Sequence, residues 1–75
     1  MLNKLIKKME KSLYNYKKIH DFSILIENKK YIIEIHEALS DKLYIKIFDL
    51  KNNLIEKKKY KRVNDAVKFI GKYNA

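Results

Sequence analysis

Residues 31–50 read YIIEIHEALSDKLYIKIFDL. Apolar and polar side chains alternate on both sides of a short stretch at Leu39, Ser40 and Asp41, and a period of two is that of a β-strand with one buried face. A turn centred on Ser40 pairs Ile33 with Ile47 and Ile35 with Ile45 on one face. On the other it pairs Ile32 with Phe48, Glu34 with Lys46 and His36 with Tyr44. Each is a favourable cross-strand pair, worth about 0.2–1 kcal/mol. The stretch therefore predicts an antiparallel hairpin with an aliphatic inner face and a mixed outer face.

Working towards the N-terminus, Phe22, Ile24 and Ile26 alternate with Ser23, Leu25 and Glu27. A two-residue loop at Asn28 and Lys29 predicts pairing of Ile26 with Tyr31, Ile24 with Ile33 and Phe22 with Ile35, and on the other face Leu25 with Ile32 and Glu27 with Lys30. Further back, Leu2, Leu5, Ile6, Met9, Leu13 and Tyr16 recur at helical spacing, which predicts an amphipathic helix over residues 2–18. Lys4, Lys7, Lys8, Lys11 and Lys18 gather on its opposite side, with Tyr14 at their margin.

Working towards the C-terminus, a turn at Lys51, Asn52 and Asn53 leads into a charged strand over residues 54–61. Two registers fit this strand equally, each with one awkward pair that a bulge resolves. Its lysines suit a sheet edge, where charge discourages pairing with other chains. Asn64 is placed to cap a closing helix over residues 64–73, with Asp65 in the first turn and Val63, Ala66, Val67, Ile70 and Tyr73 at helical spacing. The predicted fold is α+β: an N-terminal amphipathic helix, a four-stranded antiparallel meander and a short C-terminal helix, as a single domain over residues 1–75.

The 75 residues suffice for one core, and with no Cys there is neither a disulfide framework nor a thiolate metal site. No apolar run approaches the roughly 18 residues of a membrane span, and the basic start lacks the apolar core of a signal peptide, so a cytoplasmic protein is expected. Lys plus Arg number 18 against 9 Asp plus Glu, a net charge of +9 carried by 17 Lys and one Arg. That excess attracts nucleic acid or an acidic protein surface. Lys, Ile, Asn and Tyr make up 41 of the 75 residues, the bias of an AT-rich coding sequence, which contributes to the same excess.

Two groups of cations stand out: Lys4, Lys7, Lys8 and Lys11 on the first helix, and Lys57, Lys58, Lys59, Lys61 and Arg62 around the last strand, with Tyr60 interleaved for stacking. Lys lacks the bidentate fork with which Arg reads guanine, so contact with phosphates independent of sequence is expected. On the outer sheet face Lys46 and His36 lie with Tyr44 and Phe48 as an aromatic and basic platform, while the apolar share of that face, Ile32, Tyr44 and Phe48 with Leu25 and Leu50, predicts burial in a homodimer or a heteromeric complex. His20, His36, Glu34 and Glu37 are the only candidates for metal or acid–base chemistry, too few for a site. Ser12, Ser23 and Ser40 lack a nucleophile's context, and a single Gly excludes a phosphate-cradling loop. No enzyme, metal or cofactor is expected. The reading that follows is a small basic module binding nucleic-acid backbone; its alternative is a protein-binding inhibitor, such as an anti-defence protein of a phage or mobile element that occupies a host complex as anti-CRISPR proteins do.

Overall fold

The computed structural model describes residues 1–11 and 16–74. In chain order it consists of α1 (Leu2–Lys11), β1 (Lys17–His20), β2 (Ser23–Glu27), β3 (Tyr31–Ala38), β4 (Lys42–Asp49), β5 (Leu54–Tyr60) and α2 (Val63–Tyr73). The strands form one antiparallel sheet in the order β1-β2-β3-β4-β5. The class is the expected α+β with a helix at each end, but the sheet has five strands where the periodicity predicts four.

The additional strand comes out of the predicted first helix. α1 spans Leu2–Lys11, and Lys17 and Lys18, predicted within the same helix, pair with Leu25 and Ile24. Strand pairing along Ser23 to Leu25 satisfies outer N–H and C=O groups of β2, which a helix cannot do, and it leaves a short, charged, exposed strand at the sheet edge. The predicted helical residues 12–15 lie outside the described residues. Phe22, predicted on the inner face, belongs to the β1–β2 turn and is 53% exposed; its carbonyl accepts a hydrogen bond from the Glu37 N–H at 2.8 Å.

The β3–β4 register is the predicted one in every pair, from Tyr31 opposite Asp49 to Ala38 opposite Lys42. Its loop closes with the Asp41 N–H donating to the Ala38 carbonyl, and Asp41 takes the left-handed conformation (φ 55°) that a three-residue hairpin loop requires. The β2–β3 register differs by two residues: Ile26 faces Ile33, Ile24 faces Ile35, Leu25 faces Glu34 and Glu27 faces Ile32. Asn28 causes the shift. Its Oδ1 accepts from the N–H groups of Lys30 and Tyr31 at 2.9 and 2.8 Å, so the turn is built on Lys29 and Lys30. A slip of two keeps every side chain on its predicted face. In β5 a bulge does resolve the register: Ile47 faces Glu56 and Phe48 faces Leu54, with Ile55 unmatched between them.

Alternation along the strands sends Ile24, Ile26, Ile33, Ile35, Leu43, Ile45 and Ile47 to one side, where all are fully buried. They form one core cluster with Leu2, Leu5 and Met9 of α1 and Ala66, Phe69 and Ile70 of α2. Both helices thus lie on the same face of the sheet. An aromatic seam seats α2: Tyr31 meets Tyr73 edge-on at 5.0 Å, Tyr73 meets Phe69 at 5.5 Å, and Phe69 meets Tyr60 at 5.6 Å. α2 begins one residue earlier than predicted. Arg62 occupies its cap without a side-chain bond, and Asn64, the predicted cap, instead accepts a hydrogen bond from the Lys8 ammonium and so ties α2 to α1.

The C-terminal end of α2 is held by the same Asn28, whose Nδ2 donates to the Tyr73 carbonyl and the Asn74 Oδ1, both at 2.9 Å. Asn28→Ala leaves two turn N–H groups and the helix end without partners, and is expected to cost about 1–3 kcal/mol, seen as a lower urea midpoint at unchanged slope. The Tyr73 hydroxyl donates to the Glu56 carboxylate, which together with burial and the Glu56 charge holds its pKa above the ordinary 10.0. A folded pKa above the unfolded one means stability that is complete below pH 10 and lost as pH rises through the folded value. Thermal unfolding against pH should therefore show an alkaline loss of stability that Tyr73→Phe blunts.

Candidate functional site

The opposite face of the sheet carries the alternate side chains of the same strands, and no helix of the described residues covers it. Toward β1 and β2 it presents Lys17, Ser23, Leu25 and Glu27; through the middle Ile32, Glu34 and His36; toward the far edge Lys42, Tyr44, Lys46 and Phe48 of β4 with Leu54, Lys57 and Lys59 of β5. Ile32, Leu25 and Phe48 are half-buried by their neighbours, whereas Tyr44 is 38% exposed.

The cations concentrate on one half. The β4–β5 register sets Lys46 opposite Lys57 and Tyr44 opposite Lys59, with Lys42 two residues before Tyr44 on the same face. Tyr44, Lys46, Lys57 and Lys59, with Ile45 and Lys58, line a shallow groove of about 320 Å³. Among the described residues the ion pairs are the N-terminal ammonium with Glu37 at 3.4 Å and Lys18 with Asp21 at 3.8 Å. Lys46, Lys57 and Lys59 take part in neither, and Glu34 stands opposite Lys46 without closing a bridge. Two like charges directly opposed across a ladder cost stability. The fold keeps that cost on its open face.

The structure thus divides the sequence's candidate residues. Lys46, Lys57 and Lys59 are brought together with Tyr44, Ile32 and Phe48. Lys58 and Tyr60 point to the helix side of β5, opposite Ile45 and Leu43. Tyr60 is half-buried against Phe69 and therefore does not reach the open face as a stacking group; burial and the nearby Glu56 and Asp65 raise its pKa. Lys61 and Arg62 lie exposed in the bend before α2. Lys4, Lys7 and Lys8 are exposed on α1, in the layer behind the sheet, and the Lys11 side chain lies outside the described residues. Lys42 was legible from strand parity alone, since it shares the parity of Tyr44 and Lys46.

On the β3 side of Tyr44, Ser23 Oγ lies 2.7 Å from His36 Nδ1, and the His20 ring meets His36 edge-on at 6.0 Å. The predicted register sets Ser23 opposite Glu34; the observed one brings it to His36. Ser23 is 6% exposed, so its hydroxyl links β2 to β3 rather than offering itself to a substrate. His20 Nδ1 accepts from the Phe22 N–H, and Glu37 is taken up by the N-terminus and the Leu2 N–H at 2.6 Å. Among the described residues no three His, Cys, Asp or Glu side chains converge as a metal site, and no helix is long and apolar enough to cross a membrane.

No family model, curated protein or solved structure matches this chain. The charge arrangement itself is open to test. Lys57→Gln removes the opposed pair with Lys46 and is expected to raise stability by about 0.2–0.5 kcal/mol at low salt. That gain should vanish near 1 M salt, where screening reaches about 3 Å. Thermal unfolding at the two salt concentrations checks it.

Proposed function

We propose that this chain binds nucleic acid through the phosphate backbone, without reading base sequence, and that the open sheet face makes the contact. The observation that carries this reading is the cluster of Lys46, Lys57 and Lys59 around Tyr44, exposed and without anionic partners among the described residues. Ammonium groups without partners on a shallow surface suit a polyanion, because each phosphate neutralised releases condensed counterions and repulsion between Lys46 and Lys57 is relieved. Lys supplies point charges and no planar fork, so affinity should depend on phosphate spacing and not on base identity.

The face also bears on self-association. A two-fold dimer through it apposes the same patch from both copies, and here that sets lysine against lysine. An anionic occupant fits the charged half better than a second copy does. The lysines of α1 belong to a different surface, and one extended strand crossing the sheet does not reach them.

Fluorescence-anisotropy titrations of labelled nucleic acid at several salt concentrations test the reading. Log K is expected to fall against log salt with a slope of about −3 to −4 for duplex, from about −0.9 per phosphate and the four cations Lys42, Lys46, Lys57 and Lys59. Replacing Lys46, Lys57 and Lys59 by Gln should flatten the slope by about 2–3 units for every sequence tried, while Lys4→Gln with Lys7→Gln leaves it within about one unit. Lys8 is retained because it holds Asn64. Binding no tighter than about 10⁻⁴ M at physiological salt overturns the reading and leaves an acidic protein surface as the partner, as an inhibitor of a host complex requires.

A further inference from the structure

We infer that the strand bound on this face is single, and that Tyr44 is the platform on which one of its bases stacks. The inference rests on the backbone-binding reading and adds the class of nucleic acid. Three features of the face carry it.

The first is the placement of the aromatic ring among the charges. Tyr44 sits on β4 between His36 of β3 and Lys59 of β5, with Lys42 and Lys46 at the neighbouring same-face positions. Its hydroxyl makes no hydrogen bond to the described residues, in contrast to Tyr73, which is tied to Glu56, and Tyr16, which donates to Glu10. An aromatic face ringed by ammonium groups offers a base a stacking surface and its phosphates nearby counter-charges. A duplex can use the charges but not the ring, because its bases are already stacked on each other and show only their edges in the grooves.

The second is shape. The groove along β4 and β5 is shallow and lined by residues of two adjacent strands, and both helices of the described residues pack on the opposite side of the sheet, so neither is placed there to enter a duplex groove. A flexible strand lies along such a surface; a stiff cylinder meets it only at a line. The third is a second aromatic in line. Phe48 follows Tyr44 on the same face four residues on, about 13 Å away at a strand rise of about 3.3 Å, with Lys46 between them and Lys57 beside it. Aromatic, cation, aromatic along one strand repeats the elements a single strand needs, base stacking and backbone charge, in the order in which it presents them.

Affinities for labelled oligothymidylate and oligouridylate of about 12 nucleotides, within the range of single-strand site sizes, and for a duplex of the same length are to be compared at low salt by anisotropy. Either single strand is expected to bind at least about tenfold more tightly than the duplex. Tyr44→Ala should weaken single-strand binding by about 5- to 100-fold and leave duplex binding unchanged, while Tyr44→Phe, which keeps the ring, retains single-strand affinity. Replacing Lys57 and Lys59 by Gln should weaken both. A duplex bound as tightly as the single strands, or a folded Tyr44→Ala protein with unaltered single-strand affinity, overturns the inference while leaving backbone binding in place. Failure of every probe to bind overturns both.

Discussion

The pairing of β3 with β4 is the constraint from which the rest of the molecule follows. Its three-residue loop, closed by Asp41 in the left-handed conformation, sets Ile33 against Ile47 and Ile35 against Ile45. Because side chains alternate with a period of two, a slip of one residue turns one strand over, exchanging either Ile33 and Ile35 for Glu34 and His36 or Ile45 and Ile47 for Tyr44 and Lys46. That exchange strips the two helices of their apolar bed and buries charges without partners. β2 and β5 inherit their faces from this central pair, and the buried stripe of Leu2, Leu5 and Met9 joins the same core together with Ala66, Phe69 and Ile70 of α2.

The same alternation sorts the charge. Residues 57–62 form one basic run in the sequence, yet as a strand the run is dealt to two surfaces: Lys57 and Lys59 to the open face, Lys58 and Tyr60 to the helix side. The cations are thereby spread over several surfaces: the open sheet face, the helix side of β5, the bend before α2 and the exposed side of α1. What distinguishes the sheet face is the company its lysines keep. Lys46 and Lys57 oppose each other, Glu34 is the acidic neighbour across β3, and Tyr44 stands among them. The lysines of α1 have no exposed aromatic beside them among the described residues, and Lys8 serves to join the helices.

Turn chemistry does much of the fixing at the ends of the sheet. Asn28 closes the β2–β3 turn with its carbonyl oxygen and anchors the last turn of α2 with its amide nitrogen, so one side chain couples the sheet to the closing helix. Asp49 does the equivalent for the β4–β5 loop, accepting from the N–H groups of Asn53 and Lys51 at 2.9 Å each, and these bonds hold its carboxyl below the usual range. Asn52, with φ 67°, takes the left-handed position of that loop at the small cost Asn allows.

The sequence by itself determined the α+β class, the two terminal helices, the β3–β4 register and the face of every inner isoleucine, because period-two and helical patterns are local and burial needs only their phase. It did not determine β1. Residues 17–20 carry no alternation of their own, and they become a strand because β2 has an open edge, a fact of tertiary structure. Nor did it determine the β2–β3 partners, since a shift of two leaves the pattern unchanged and the choice fell to Asn28. The candidate site shows the same division. Its residues were legible as basic or aromatic one by one, but that Lys46, Lys57, Lys59 and Tyr44 form one surface while Tyr60 and the lysines of α1 belong to others depends on strand pairing across the sheet, which brings together residues far apart in the chain and separates neighbours within it.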